Sequence, residues 1–258
     1  MTSVIVTGAD GQLGKSIQAR IGSYDEINGV FVSKESLDIT RVEEIRKRFK
    51  EHAPEYCINT AAFTEVDEAE VAEDKAMEVN ACGAENLARA CAEFRVILIH
   101  LSTDYVFDGS KPHGYRPTDK PNPINAYGRS KWEGEKRIGK CLDRYFIIRT
   151  SWLYSEYPPN FFTTILNRLN KNENLEVTDQ QRGCPTKAGN LANYILELIT
   201  SDDQDFGIRH FTDGEPMTWY EFALRIKNRY APDSTSKIRR GNNYRSFAKR
   251  PECSILLP

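Results

Sequence analysis

Ser3-Val4-Ile5-Val6-Thr7, running directly into Gly8-Ala9-Asp10-Gly11-Gln12-Leu13-Gly14, is the stretch that decides the fold. The β-branched run has the composition of a buried strand. Residues 13–21 then carry a helical pattern. A strand, a glycine-rich turn and a helix, in that order, aim backbone N–H groups and a helix N-terminus at a phosphate. The spacing is G-x-x-G-x-x-G, one residue longer than the common dinucleotide fingerprint. With Gly8, Gly11 and Gly14 at the first βα turn, the stretch still points to a dinucleotide.

Outward from that turn the alternation continues. Residues 27–32 give a second strand pattern. About 20 residues beyond the glycines, an NAD site carries an acid for the adenosine ribose. Ser33-Lys34-Glu35 stands there. Glu35 is the candidate acid, but Ser33 and Lys34 suit a 2′-phosphate, so the stretch leans to NADP. Val42, Ile45 and Phe49 recur at helical spacing among charges and predict an amphipathic cover helix. Residues 56–59 read as a third strand, ending in Thr60-Ala61-Ala62-Phe63-Thr64-Glu65-Val66-Asp67. Small side chains there let a cofactor lie close to the backbone at the carboxyl end of the sheet. Leu87, Cys91 and Phe94 mark a long helix, with Asn80 early on it in a structural role, and 96–101 give a fourth strand.

Pro112, Pro117, Pro121 and Pro123 predict a stiff, exposed crossing without regular structure. A helix over 126–140 and a strand over 145–149 complete the pattern of an α/β protein with a doubly wound, Rossmann-type parallel sheet. Beyond Arg149 come an aromatic segment, a Pro158-Pro159 break, a helix over 161–169 and a strand over 175–178. Residues 191–200 and 208–211 read as a helix and strand returning to the main sheet. The helix over 218–229 carries Trp219, Phe222 and Ile226 as core residues. The expected division is a Rossmann domain over 1–152, with the returning elements at about 186–211. A smaller C-terminal substrate lobe takes 153–185 and 212–258.

The chemistry is carried by Ser102-Thr103-Asp104-Tyr105-Val106-Phe107-Asp108-Gly109 and Tyr127-Gly128-Arg129-Ser130-Lys131. Tyr127 and Lys131 are i and i+4 on one predicted helix, so they share a face. A phenol titrates near pH 10, and an adjacent ammonium is expected to lower that value. Thr103, at the end of the fourth strand, would hydrogen-bond the same reacting oxygen. The three together are a proton-delivery device for a carbonyl. With twelve tyrosines in the chain, the spacing alone would mean little without this context.

Bulk properties exclude several classes. A net charge of -2 gives no basic stripe for nucleic acid. No apolar run approaches the ~18 residues of a membrane helix. The chain enters a strand directly from Met1, without a cationic leader. Cys57, Cys82, Cys91, Cys141, Cys184 and Cys253 show neither metal-ligand nor redox-motif spacing. Free thiols, no metal and a cytoplasmic location are expected.

Taken in order, residues 7–14, 59–67, 102–109, 127–131, 149–154, 179–186 and 250–256 resemble the dTDP-4-dehydrorhamnose reductase family of extended short-chain dehydrogenases/reductases. The Ser-Thr-Asp-Tyr-Val-Phe-Asp-Gly and Arg-Thr-Ser-Trp segments are its most specific parts. The match loosens around 210–214, and the sequence ends soon after Ser254, short of the family's usual C-terminal segment. The resemblance implies an NADPH-dependent oxidoreductase, with NADH as second candidate. Such an enzyme reduces the C4 ketone of a dTDP-linked 6-deoxy sugar in the synthesis of dTDP-rhamnose, a precursor of cell-wall polysaccharide. It implies Thr103, Tyr127 and Lys131 as catalytic residues. It places Gly8, Asp10, Gly11, Gln12, Leu13, Gly14, Ser33, Lys34, Asp38, Ile39, Ala61, Ala62 and Thr64, with Tyr127 and Lys131, around the cofactor. It places Val66, Tyr105 and Trp152 on the sugar side, and leaves room for a homodimer. Two other activities use the same scaffold: an epimerase or dehydratase, and a non-catalytic NADP-binding regulatory subunit of the methionine adenosyltransferase type. An intact Thr103, Tyr127 and Lys131 favours the reductase.

Overall fold

The computed structural model describes residues 1–241 and 246–258. Its centre is a six-stranded sheet built from β1 (Thr2–Thr7), β2 (Ile27–Val32), β3 (Tyr56–Asn59), β4 (Ile97–Thr103), β5 (Tyr145–Thr150) and a late strand, β6 (Gly207–His210). The order is β6-β5-β4-β3-β1-β2, and every neighbouring pair is parallel. Both faces of such a sheet are covered, which is why its strands read as continuous apolar runs.

Successive residues of a strand point to opposite faces. Val4 and Val6 therefore join Ile58, Ile99 and Ile148 under α1 (Gln12–Ile21) and α8 (Ala188–Thr200). Ile5, Cys57, Leu98 and Ile147 face α2 (Val42–His52) and α5 (Ala84–Phe94) on the other side. The strand order reverses beside β1, and the carboxyl ends of β1, β3, β4 and β5 open toward that crevice. This is the ligand-binding position of a doubly wound sheet.

The expected long helix before β4 is broken. It runs as α3 (Val66–Val71), α4 (Glu73–Met77), a π-helical turn (Glu78–Gly83) and then α5. Asn80 in that turn is buried. Its Oδ1 accepts from Phe63 N at 2.8 Å, and its Nδ2 donates to Phe63 O and Ser130 Oγ, each at 2.9 Å. The side chain fixes the loop after β3 against α6 (Ala126–Cys141), which is the structural role read from the sequence.

The proline-rich crossing is not wholly exposed. Tyr115 is buried, stacks on Phe107 with centroids 4.2 Å apart, and bridges to Leu256. The C-terminal segment therefore packs down on it.

A third apolar cluster lies apart from the sheet. It joins α7 (Phe161–Asn170), α9 (Trp219–Tyr230) and the parallel strand pair Leu175–Val177 and Ile238–Arg240 through Phe162, Ile165, Leu169, Phe222 and Ile226. Among the described residues no helix is long and apolar enough to cross a membrane, and no cluster of ligands could hold a metal ion. All six cysteines are free.

Candidate active site

A cleft of about 640 Å³ opens at the carboxyl ends of β1, β3, β4 and β5, a size ordinary for a cofactor site. Its floor is the glycine turn. Gly8 has φ +68°, and a Cβ there would come within 2.6 Å of Ala61 N, so the turn and the loop after β3 touch backbone to backbone. Gly11 caps α1 without any side-chain hydrogen bond, leaving the first-turn N–H groups of that helix free for a ligand. Asp10, Gly11, Gln12 and Leu13 line the cleft beside Gly8. Lys34, Asp38 and Ile39 line its far end, and Ala61, Ala62 and Thr64 its wall. These groups fit a dinucleotide with a phosphate near Lys34.

At the other end, α6 presents the catalytic candidates. Asn125 caps this helix through Oδ1, which accepts from Gly128 N at 2.7 Å. Gly128 lies against the Tyr105 carbonyl, where a Cβ would collide, so only glycine lets the helix start this close to β4. Thr103, Tyr127 and Lys131 all line the cleft. The Tyr127 hydroxyl is in hydrogen-bonding contact with Thr103, whose Oγ1 also donates to Asp104 Oδ1 at 3.1 Å.

Lys131 is 2% exposed. Its Nζ donates to Leu101 O at 2.7 Å and lies 3.3 Å from His100 Nε2. Burial lowers its pKa to about 8, while Glu135 opposes the shift. Burial raises the Tyr127 phenol, with Asp104 and Tyr105 adding to the rise and Thr103 opposing it. This corrects the expectation that Lys131 lowers the phenol's pKa. The ammonium is spent on a backbone carbonyl, and desolvation dominates. Tyr127 is therefore held protonated, the state a proton donor needs.

Four expected site residues stand outside the cleft lining. Gly14 lies a turn into α1 against Gly8 and Ala9. The Ser33 hydroxyl is bonded to Glu35. Val66 begins α3, just past the loop. Tyr105 is buried, with its ring edge-on to Tyr127 at 5.9 Å and its hydroxyl accepting from Arg250 Nη1 at 3.2 Å. Trp152 does line the cleft. It adopts φ +48°, a left-handed conformation costing a bulky residue ~1–2 kcal/mol. Its indole stacks on Trp219 with centroids 3.5 Å apart and planes 4° from parallel. Trp219 thus serves the site as well as the third cluster.

Asp104 and Thr150, which sequence reasoning does not single out, also line the cleft. Among the described residues Thr150 Oγ1 is buried without a hydrogen-bond partner, and burial pushes the Asp104 carboxyl up to about 7 against hydrogen bonds from Ser254 and Thr103. The signal that marks Asp104 is an acid directly following a largely apolar strand.

Residues 1–257 match the family described as RmlD substrate binding domain. The dTDP-4-dehydrorhamnose reductase of Aggregatibacter actinomycetemcomitans is 36% identical over 231 residues, covering 88% of this chain and 78% of the relative. The dTDP-4-keto-6-deoxy-D-glucose reductase of Streptomyces niveus is 38% identical over 220 residues, covering 85% and 75%. The crystal structure of dTDP-4-dehydrorhamnose reductase from Bacillus anthracis in complex with NADP superposes with a TM-score of 0.93 at 36% identity, covering 100% of this chain and 91% of that one.

Proposed function

Because this chain belongs to the dTDP-4-dehydrorhamnose reductase family, we propose that it reduces the C4 ketone of dTDP-4-dehydro-L-rhamnose with NADPH, giving dTDP-L-rhamnose. The observation that carries this is one continuous cleft. The glycine turn and Lys34 lie at one end of it, and Thr103, Tyr127 and Lys131 at the other.

Bound in the cleft, the reduced nicotinamide supplies hydride to the ketone carbon. The turn at Gly8 and Gly11 receives the pyrophosphate, and Lys34 receives the 2′-phosphate. Thr103 orients the ketone oxygen, and Tyr127 gives its hydroxyl proton to that oxygen as charge builds there. Lys131 holds the nicotinamide ribose hydroxyls. Trp152 lies along the apolar face of the sugar, backed by Trp219. Residues 1–152 with 186–211 form the dinucleotide half; 153–185 and 212–258 form the sugar-nucleotide half. The free cysteines suit a reducing compartment, and a cytoplasmic location belongs to the same proposal.

The test is NADPH consumption by the purified protein given the 4-keto sugar nucleotide. Turnover supports the proposal; NADPH binding without turnover over hours overturns it and leaves a regulatory subunit. The Streptomyces relative supports a second substrate of the same class, dTDP-4-keto-6-deoxy-D-glucose. Comparing turnover of the two sugars separates them.

A further inference from the structure

A chain of buried polar groups runs under the catalytic end of the cleft, from β1 through β3 and β4 to α6. Thr7 Oγ1 donates to Asn59 Oδ1 at 2.7 Å, and Ala61 N donates to the same oxygen at 3.1 Å. A backbone N–H can only donate, so the Asn59 amide has a fixed orientation and its Nδ2 must face His100 Nδ1, 2.9 Å away. That Nδ1 therefore accepts. Burial, with Lys131 adding to it, holds the ring neutral, and a neutral imidazole whose Nδ1 accepts carries its hydrogen on Nε2. The Nε2–H then faces Lys131 Nζ at 3.3 Å. An ammonium has no lone pair to accept it, whereas a neutral amine has one.

We propose that His100, through a tautomer fixed by Asn59, is a positioning residue that disfavours the ammonium form of Lys131 and readies that side chain to give up its proton. The proton goes to the Tyr127 oxygen, replacing the one Tyr127 has given to the product. This leaves a neutral Lys131 amine that accepts the His100 Nε2–H. The inference rests on the reductase proposal for Lys131's place in the reaction.

The other charged groups near Lys131 have partners of their own. On its own helix stand Tyr127 and Glu135, and Glu135 is bonded to Arg149 of β5 and to Ser102 of β4. β4 also leads into Asp104, which acts on Tyr127. β3 supplies the uncharged Asn59. His100 makes no contact with the cleft lining beyond Lys131 in the hydrogen bonds described, so its effect passes through that lysine.

Two measurements test this. In the parent protein, nitrogen NMR of the histidine rings, assigned with His100→Gln, should show His100 neutral with its hydrogen on Nε2 from about pH 6 to 9. A hydrogen on Nδ1, or a charged ring, overturns the proposal whether or not the protein turns over any substrate. The second measurement is the pH profile of kcat for NADPH oxidation. A glutamine side chain in place of the imidazole can turn its amide oxygen to the ammonium, so His100→Gln should move the alkaline limb up by about one pH unit. A uniform loss of rate with an unmoved limb means a merely structural histidine and overturns the proposal. If the parent itself oxidises no NADPH, the reductase proposal has failed, and the tautomer still decides this one.

Discussion

Lys131 and Glu135 lie one turn apart on α6, both buried against β4, yet they are provided for in opposite ways. Glu135 meets a full opposite charge. Arg149 binds it bidentately, with Nε at 2.9 Å and Nη2 at 2.6 Å, and Ser102 Oγ adds a bond at 2.5 Å. Both members of that pair are almost completely covered, at 1% and 3% side-chain exposure. Among the described residues, the hydrogen bonds of Lys131 go to a carbonyl and a neutral histidine ring, and Glu135 acts on it without a hydrogen bond. A buried charge given its counter-charge is locked, and it ties α6 to β5. A buried charge denied one can change its protonation, which is what a reaction uses. The same strand supplies both environments from alternate residues, His100 and Ser102.

The contrast is broken most severely on the locked side. Arg149→Met leaves the Glu135 carboxylate buried without its partner, and should lower unfolding free energy by ~3–5 kcal/mol. Chemical denaturation reads this directly.

On the other side, Lys131→Met should raise stability at pH 7, where the parent carries the full cost of a buried charge, while slowing reduction by ~100-fold. Its pH dependence has a definite sign. The folded pKa is depressed from 10.5 to about 8, so between those values the unfolded chain binds the extra proton. Burial of the charge therefore costs its full amount, on the order of 3 kcal/mol, below pH 8. That cost fades as pH rises toward 10.5. Parent stability relative to Lys131→Met should thus rise across this window; a flat or falling difference would mean the lysine is not desolvated.

Trp219→Ala removes the plane behind Trp152 without touching the cofactor end. Sugar-nucleotide use should fall by ~10-fold, in line with the energy of a stacked pair, with NADPH affinity unchanged by fluorescence titration. The smallest effect is expected at Lys34. Lys34→Glu should narrow a preference for NADPH over NADH by a few-fold, since an exposed ion pair is weak. Equal affinities in the parent would remove Lys34 from the 2′-phosphate.

The same division explains what is legible in the sequence. The strands at 27–32 and 56–59 fall at their observed limits, because their signal is local. The glycine turn likewise needs only neighbouring residues to state its chemistry. Lys131 is found from its spacing to Tyr127, but its environment is not. The groups that decide it, Leu101, His100 and Asn59, arrive from two other strands, and no local pattern joins them. His100 does leave a trace as the one polar residue between Ile97-Leu98-Ile99 and Leu101. Trp219 reads as core from helical spacing, which it is, while its stacking on Trp152 depends on a fold that joins positions 67 apart in sequence. The break in the helix before α5 and the buried Tyr115 escape the sequence for a similar reason. Tertiary contacts, from Asn80 and from the C-terminal segment, override the local pattern.

In the proposed reaction Tyr127, kept protonated by burial, delivers the proton. Tyr127→Phe retains the ring and its packing and removes only the hydroxyl. The decisive measurement is the single-turnover rate of NADPH oxidation by this variant at saturating cofactor and keto sugar nucleotide. A fall of at least ~100-fold with NADPH affinity unaltered is expected; a rate within a few-fold of the parent's would contradict Tyr127 as the proton donor.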